Sequence, residues 1–466
     1  MFVGRIKEKK MLLEAFKSNE AQFVAVYGRR RIGKTYLVRE TFAEKFVFQH
    51  AGLANSGKEA QLEAWRSALK NSGFETDAPL RTWLQAFDAL RQLIKQSSKR
   101  KKVVFIDEMP WLDTQHSGFL PALEYFWNSW ASAQKNLMLI VCGSSTSWII
   151  NKLIRNHGGL HNRVTLSIKL EQFCLGECEQ LAKTSGLGFN RRQILECYMA
   201  IGGVPYYWTL LQRGQSVAQN IDRLFFEPSG LLCREFDSLY HSLFNNPEQY
   251  IKVITLIGKK PSGLTRNEII NQGSIADNGN LTRILSDLEY CGFIKRCSNW
   301  GDSVKNSVYQ LIDFFTTFYF SFLDKDGDLG RNYWLSLQNM PQYTAWSGIA
   351  FERICFAHQQ QIKNALGISG VVSTIYGYRD SDMQIDMVID RSDGVIDLYE
   401  MKFSKNKFTI DEDYDEKLQT RRALFAKKIK NAKAVHLVMV TAKGLTENSY
   451  AFDVQNSITA DELFIL

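Results

Sequence analysis

Apolar residues occur in this chain in two spacings, and the order of these spacings predicts an α/β fold in its first part. Short continuous apolar runs of strand length lie at 23–27, 46–49, 103–106 and 137–142. Between them, apolar residues recur every three to four positions, which is typical of amphipathic helices. Strands that alternate with helices in this way predict a parallel sheet covered by helices.

The segment 174–235 is predicted to form a helical lid, because Leu and Ile recur there every three or four positions. Each helix of this kind buries one face and leaves the other to solvent. Glu177, Gln193 and Tyr198 are therefore expected on polar faces.

Three helices and a β-hairpin are predicted next, which is the order of elements in a winged helix. The five segments are 247–257, 263–270, 279–289, 291–296 and 307–311. The third helix can enter a DNA major groove. Its candidate contact residues are Asn280, Thr282, Arg283 and Asp287. Because this helix has one Arg beside two acids, a spacer between protein parts is the alternative interpretation.

The last part of the chain opens with an aromatic run, 314–323, which predicts a buried helix, and a polar linker near 324–330. Asp324, Asp326 and Asp328 have calcium-loop spacing, but Leu335 occupies the position that requires Glu, so we reject a calcium site. A helix is predicted from residue 350. The alternating segments 384–390 and 395–403 then predict a β-hairpin with Glu400 and Lys402 on one face and Met401 on the other.

Composition sets further limits. The 466 residues predict about three units of roughly 150 residues each. With 45% hydrophobic residues and no apolar run of the roughly 18 residues that a membrane span needs, we expect a cytoplasmic protein without a membrane partner. The net charge of +8 is compatible with a nucleic-acid partner without requiring one. The eight scattered cysteines are interpreted as buried reduced thiols.

The first strand leads into the spacing G-x-x-x-x-G-K-T, from Gly28 to Thr35, and then into a helix. This is the P-loop arrangement. Gly28 and Gly33 allow backbone N–H groups to point at phosphate oxygens beside a helix N-terminus. Lys34 can reach the β and γ phosphates of ATP, and the Thr35 hydroxyl can hold Mg²⁺.

Two later strand ends supply the other half of an ATP-hydrolysing site. Asp107 can hold the Mg²⁺ shell, and Glu108 can act as the general base for water. Ser144 can sense the γ phosphate, although a Ser-rich turn that caps the next helix explains it equally well. Arg163 can be an arginine finger in cis or toward a neighbouring subunit of a homo-oligomer; the alternative is an ordinary surface Arg.

These motifs resemble the archaeal-type P-loop ATPases of the AAA+/STAND lineage. The resemblance covers roughly residues 1 to 230 and includes Phe2-Val-Gly-Arg5 and Gly202-Gly203-Val-Pro205. It implies an AAA+-like sheet with a helical lid, with Pro205 near the base of the nucleotide. The residues expected to bind the nucleotide are Gly28, Arg29, Arg30, Arg31, Ile32, Gly33, Lys34, Thr35, Tyr36, Asp107, Ser144 and Pro205.

A second chemistry is predicted at the C-terminal hairpin. Asp386 and Glu400 can bind a divalent metal while Lys402 lies beside the attacking water, a set that suits phosphodiester hydrolysis with Mg²⁺ or Mn²⁺. An exposed cross-strand ion pair is the alternative. The order Glu352, Asp386, Glu400, Lys402 resembles a PD-(D/E)xK nuclease domain, which implies Glu352 as a further metal ligand. The basic helix from Lys417 to Lys430 can lie along a phosphate backbone, and a solvated face explains its charge equally well.

The predicted organisation is a P-loop ATPase core at 1–170, a helical lid at 171–240, a winged helix at 241–323 and an α/β restriction-endonuclease-like domain at 324–466. The expected function is ATP hydrolysis coupled to metal-dependent cleavage of DNA. A nucleotide-switched regulator that binds DNA or protein without cutting is the rival. A toxin-like defence effector would share the chemistry and differ in its trigger.

Overall fold

The computed structural model describes residues 2–76, 78–155, 158–301, 307–324, 330, 332–429 and 433–466. These residues form two compact units, 2–171 and 172–466. Asp326, Asp328 and Lys430, which the sequence analysis considered, lie outside the described residues. No helix among the described residues is both long and apolar enough to cross a membrane. None of the eight cysteines, all of which are described, forms a disulfide.

The first unit is built on a five-stranded parallel sheet, as predicted. Its strands are β1 Gln22–Tyr27, β2 Phe46–Ala51, β3 Lys102–Asp107, β4 Leu137–Gly143 and β5 Leu166–Lys169. Their spatial order is β2-β3-β4-β1-β5, and all neighbours run parallel. Every residue of β4 is buried, as expected of an apolar strand with helices on both faces.

Helices cover both faces of this sheet. They are α1 Ile6–Lys17, α2 Lys34–Phe42, α3 Lys58–Asn71, α4 Trp83–Gln96, α5 Phe119–Ser129 and α6 Thr146–Trp148. Short 3-10 segments lie at Met109–Trp111 and Ala131–Ala133, and a π-helical segment at Ile149–Ile154. Alternate residues of β1 enter two separate cores, Phe23 on one face and Val24 on the other. The unit therefore has three layers.

The second unit begins with helices. They are α7 Leu175–Thr184, α8 Arg191–Ile201, α9 Pro205–Thr209, α10 Val217–Ile221, with a π-helical segment at Asp222–Phe226, and α11 Glu235–Leu243. The expectation that Tyr198 faces solvent is wrong. Its ring is 3% exposed, and its hydroxyl donates a hydrogen bond to the Phe173 carbonyl at 2.9 Å. Helical spacing alone did not distinguish this amphipathic side chain from a surface one.

Three helices and a small antiparallel sheet follow. They are α12 Pro247–Gly258, β6 Leu264–Thr265, α13 Arg266–Gly273, α14 Gly279–Tyr290, β7 Ile294–Cys297 and β8 Val308–Leu311, with strand order β6-β8-β7. The assignment of this segment as a winged helix stays a prediction. Asp287, a candidate groove residue on α14, is buried and accepts a hydrogen bond from the Tyr250 hydroxyl at 2.6 Å, so it is not available to DNA.

The C-terminal part contains a second five-stranded sheet. Its elements are α15 Phe314–Phe322, α16 Tyr333–Leu337, α17 Pro341–Ala357, α18 Gln359–Ala365, β9 Ser373–Arg379, β10 Gln384–Arg391, β11 Val395–Lys402, α19 Glu412–Lys428, β12 Ala434–Thr441 and β13 Asn456–Thr459. Two 3-10 segments lie at Tyr450–Asp453 and Ala460–Phe464. The order is β13-β12-β11-β10-β9, antiparallel from β9 to β11 and parallel from β11 to β13.

One continuous apolar core, from Phe173 to Phe464, includes the helices, the small sheet and one face of the C-terminal sheet. A separate core on the other face of that sheet includes Leu418 and Phe425 of α19. The aromatic run predicted to be buried forms α15 within the continuous core, with Phe315, Phe318 and Phe322 fully buried. The helices, the small sheet and the C-terminal sheet are therefore held against one another by shared apolar packing rather than by linkers.

Candidate functional site

The P-loop connects β1 to α2 and depends on two glycines. Gly28 has φ 141°, and a Cβ there would lie 2.4 Å from the Leu170 carbonyl oxygen, so no other residue fits this position. Gly33 caps α2 with φ 89°, in the left-handed region that favours glycine. The intervening Arg31 also has a positive φ, of 71°. The loop is thereby held in a conformation that wraps around the start of a helix.

Lys34 lies inside this loop. Its side chain is buried, and its ammonium donates hydrogen bonds to the carbonyls of Gly28 at 3.0 Å and Arg29 at 2.9 Å. The cation is therefore positioned where the backbone N–H groups and the α2 N-terminus also favour negative charge.

The next residue connects the P-loop to β3. The Thr35 hydroxyl donates a 2.7 Å hydrogen bond to Asp107 Oδ2. Burial raises the pKa of Asp107, while the bond from Thr35 opposes the rise. A hydroxyl and a carboxylate in contact are oxygen ligands of the kind that Mg²⁺ prefers, and a cation would relieve the burial of the carboxylate. The pair thus fits the predicted magnesium site.

Glu108 and Ser144 are brought together from the ends of β3 and β4. Glu108 has φ 42°, and its Oε2 accepts hydrogen bonds from the Ser144 N–H at 3.0 Å and the Ser144 hydroxyl at 2.9 Å. Two donors on one oxygen fix the orientation of the carboxylate. Its Oε1 has no hydrogen-bond partner among the residues that the structure describes, so it is the oxygen that can accept a proton from water.

The remaining predicted nucleotide residues are placed differently. Tyr36 is 48% exposed and its ring stacks on Phe2 with 5.8 Å between ring centroids. Arg163 is exposed, and within the described ranges its side chain has no hydrogen bond or ion pair. Pro205 begins α9 in the second unit, so its role at the nucleotide stays a prediction. The other P-loop positions, in the loop itself, are Arg29, Arg30 and Ile32.

Arg5 donates a hydrogen bond to the P-loop backbone and was not among the residues predicted for the site. It has φ 56°, and its Nη2 donates hydrogen bonds to the carbonyls of Ile32 at 3.1 Å and Glu171 at 2.6 Å. The side chain is 5% exposed. The sequence signal for this residue was the segment Phe2-Val-Gly-Arg5, which is part of the family resemblance.

The second site lies on α17, β10 and β11. Glu400 and Lys402 share one face of β11, with 2.8 Å between Lys402 Nζ and Glu400 Oε1, while Met401 enters the core on the other face, as predicted. Asp386 lies in a β-bulge between Ile385 and Val388, and its Oδ2 accepts a 2.9 Å hydrogen bond from the Met401 N–H. The bulge turns Asp386 toward β11 and was not predictable from alternation.

Electrostatics link three carboxylates at this site. Burial, and then the charge of Asp386, raise the pKa of Glu352 to about 7. Burial, and then the charge of Glu400, raise the pKa of Asp386 to about 6. Burial alone would lower the pKa of Lys402, but the adjacent Glu400 raises it on balance. Glu352, Asp386, Glu400 and Lys402 therefore form one electrostatic cluster, and their assignment as a nuclease site stays a prediction.

Glu400 has further partners that the sequence analysis missed. Arg421 Nη1 lies 2.9 Å from its Oε2, and the Tyr414 hydroxyl donates a short hydrogen bond to its Oε1. Both partners come from α19, whose basic character had suggested only a phosphate-binding face. Among the described residues, no three His, Cys, Asp or Glu side chains converge closely enough to hold a metal ion. Glu400 is thus neutralised by protein cations in this arrangement.

Comparisons with known proteins agree with the first site. A family model described as an ATPase domain predominantly from Archaea matches residues 2–211. An uncharacterized protein of Methanocaldococcus jannaschii is 24% identical over 359 residues, 76% of this chain and 76% of that protein. An uncharacterized ATP-binding protein of the same organism is 40% identical over 47 residues, 10% of this chain and 80% of that protein.

A solved structure supports the same fold. The Walker-type ATPase of Pyrococcus abyssi is similar to this chain with a TM-score of 0.52 and 17% identity, over 68% of this chain and 96% of that chain. The parallel five-stranded sheet with a P-loop after its first strand is the shared architecture. The predicted P-loop ATPase domain is confirmed at this level. Through residues 2–211, the chain belongs to the family of ATPase domains found predominantly in Archaea.

Proposed function

We propose that this chain hydrolyses ATP at its P-loop and cleaves DNA at the carboxylate cluster of its C-terminal sheet. The proposal of DNA cleavage depends on one observation, the grouping of four residues at one end of β10 and β11. These residues are up to 50 positions apart in the chain, and they are Glu352, Asp386, Glu400 and Lys402. Such a grouping of acids with a lysine is expected of a phosphodiester-hydrolysing centre.

At the first site, each side chain has a defined task. Lys34 neutralises phosphate charge, and Thr35 with Asp107 holds Mg²⁺ beside the nucleotide. Glu108, oriented by Ser144, accepts the proton of the attacking water. Arg163 is exposed and unpaired within the described residues, which suits an arginine finger that reaches the nucleotide of a neighbouring copy in a homo-oligomer.

At the second site, Asp386 and Glu352 would hold Mg²⁺ or Mn²⁺. Their raised pKa values support this, because crowded buried carboxylates are the groups that a divalent cation relieves. The metal, when bound, supplies an acidified water and charge stabilisation at the phosphate. Lys402 stabilises negative charge that develops on the scissile phosphate. Glu400 orients Lys402 through their ion pair.

One observation favours a second candidate, a nucleotide-switched regulator that binds DNA without cutting. Glu400 is already neutralised by Lys402 and Arg421, and the described acids do not converge on a metal position. In the nuclease proposal, metal or substrate must draw Arg421 or Lys402 away from Glu400. In the regulator, the ion pairs are permanent and support the fold.

For the ATPase site, we expect Glu108→Gln to keep ATP binding and to lower turnover by on the order of 10²- to 10⁴-fold, because the general base is lost. Lys34→Ala should lose ATP binding itself. Phosphate release and binding of a fluorescent ATP analogue would be measured side by side. Glu44→Gln, at an exposed position of the same unit, is the control. Hydrolysis at the wild-type rate by Glu108→Gln would contradict this assignment.

For the nuclease site, we expect Lys402→Ala and Asp386→Asn each to abolish Mg²⁺-dependent DNA cleavage while ATP turnover is retained. The assay is incubation of plasmid and single-stranded DNA with Mg²⁺ or Mn²⁺, with and without ATP. Lys443→Ala, at an exposed position, is the matched control. Unchanged cleavage by purified Lys402→Ala would refute the nuclease, whereas DNA binding without any cleavage by the wild type would support the regulator.

The carboxylate cluster also predicts a pH dependence of stability. The pKa of Glu352 is raised from 4.5 to about 7, and the pKa of Asp386 from 3.8 to about 6. Between the lower and the higher value of each acid, the folded chain binds more protons than the unfolded chain. The free energy of unfolding therefore falls as pH rises through this range. We expect Glu352→Gln to stabilise the metal-free chain at pH 8 by on the order of 1–3 kcal/mol, and to have little effect near pH 4.

Thermal unfolding in the presence of a chelator, followed by tryptophan fluorescence at several pH values, would measure this difference. Glu447→Gln, at an exposed position of the same unit, is the control and should leave stability unchanged at every pH. A Glu352→Gln effect that is equally large at pH 4 and pH 8 would show that the acids are not electrostatically crowded.

A further inference from the structure

A cavity of about 540 Å³ lies beside the carboxylate cluster, inside the second unit. One wall comes from the turn after α12 and from β7 and β8 with the residues that follow β7, and it includes Lys260 and Ser298. The opposite wall comes from α17, β9 and β10, and includes Glu352 and Asp386. Two of the four clustered residues therefore face a space of the size that small-molecule ligands occupy.

The described residues that follow β7, 298–301, are held on the C-terminal sheet, and Ser298 and Asn299 line one side of the cavity. The Trp300 N–H donates to the Gly377 carbonyl at 3.2 Å, and Asn299 Nδ2 donates to the Arg379 carbonyl at 3.1 Å. The Trp300 indole N–H donates to Asp390 Oδ2 at 3.1 Å, and its ring packs on Phe425 with 4.8 Å between centroids. The wall is thus bound to the sheet by backbone, polar and aromatic contacts.

Two arginines in the cavity wall form no ion pair with the described residues, although the charge of Glu352 acts on Arg353. Arg353 Nη1 has less than 1 Å² of accessible surface and no hydrogen-bond partner, and the Arg353 side chain forms no ion pair with the described residues. Burial lowers the pKa of Arg353 to about 10, so the group is still a cation at neutral pH. Arg379 is exposed, and its side chain likewise has no hydrogen bond or ion pair within the described part of the chain. A shielded cation without an acceptor favours an anionic ligand.

The cavity also offers apolar surface. Ile349, 37% exposed, and Phe356 lie in the same wall as the arginines. A ligand with an anionic group and a flat apolar part would use both kinds of surface, and a nucleotide unit has this composition. The volume of about 540 Å³ is that of a site for a drug-sized molecule, which favours part of one strand over a duplex.

We propose that this cavity receives one strand of a nucleic acid, with Arg353 and Arg379 binding its phosphates beside Asp386. The proposal rests on the proposed nuclease function and specifies its substrate class as a single strand. Arg353 is a positioning residue that places the phosphodiester next to the carboxylates. The electrostatic field of these two guanidinium groups offsets the repulsion that a phosphate would meet from Glu352 and Asp386.

Binding is tested apart from cleavage, on the full chain in EDTA, by fluorescence anisotropy of a labelled 20-nucleotide single strand and of the matching duplex. We expect the single strand to bind at least about tenfold more tightly than the duplex at equal salt. Arg379→Ala and Arg353→Met should each weaken single-strand binding by about fivefold or more, and Arg353→Lys should recover part of the loss. Arg100→Ala, which removes an equal charge at an exposed position of the first unit, should have no effect.

Because Arg379 is exposed, its variant tests the cavity even if the Arg353 variants fail to fold. Tighter binding of the duplex, or single-strand binding that both arginine variants leave unchanged, would overturn the proposal. Displacement of the oligonucleotide by an equimolar nucleoside monophosphate would also overturn it, since a strand must contribute more than one phosphate. Single-strand binding that depends on the arginines, without cleavage in Mg²⁺, would support the cavity proposal and contradict the nuclease proposal. Cleavage confined to duplex DNA would support the nuclease proposal and contradict the cavity proposal.

Discussion

A buried carboxylate stays charged only when a cation or several donors lie beside it, and this constraint governs both candidate sites of the molecule. At the first site, Asp107 is buried and receives a hydrogen bond from Thr35. At the second, the charges of Asp386 and Glu400 raise the pKa of Glu352, and the charge of Glu400 raises the pKa of Asp386. Only Glu400 is neutralised within the protein, by Lys402 and Arg421. The acids that are not neutralised are the ones expected to meet Mg²⁺.

In the proposed function, the two sites hold a polyanion by different means. The P-loop uses backbone N–H groups, a helix N-terminus and one buried lysine, and its geometry depends on Gly28, where a Cβ would meet the Leu170 carbonyl, and on the positive φ of Gly33. The C-terminal site uses side chains from a helix and two strands, and its cations, Lys402 and Arg421, are occupied by Glu400. Arg353 and Arg379 supply the cationic charge that remains. In the proposed nuclease, metal or substrate would therefore have to exchange partners with the ion pairs of Glu400.

Much of this could be predicted from the sequence, because it depends on local pattern. The P-loop follows from a local spacing motif and the strands of the first sheet from continuous apolar runs. The alternation of Glu400, Met401 and Lys402 follows from the period of two residues of a strand. What could not be predicted depends on long-range packing. The β-bulge at Asp386 breaks the alternation, and Arg421 reaches Glu400 only because α19 packs beside β11. Asp287 had the polarity of a groove residue, yet a hydrogen bond from Tyr250 keeps it in the core.

The central claim is that Asp386 and its neighbours hold a divalent cation. Manganese binding to the nucleotide-free chain, measured by the loss of the free Mn²⁺ signal in electron paramagnetic resonance, tests it most directly, since the P-loop site holds a divalent ion mainly through the phosphates of its nucleotide. The account predicts one Mn²⁺ per chain, lost in Asp386→Asn and retained in Asp107→Asn. Equal Mn²⁺ binding by the wild type and Asp386→Asn, or no binding by either, would contradict it.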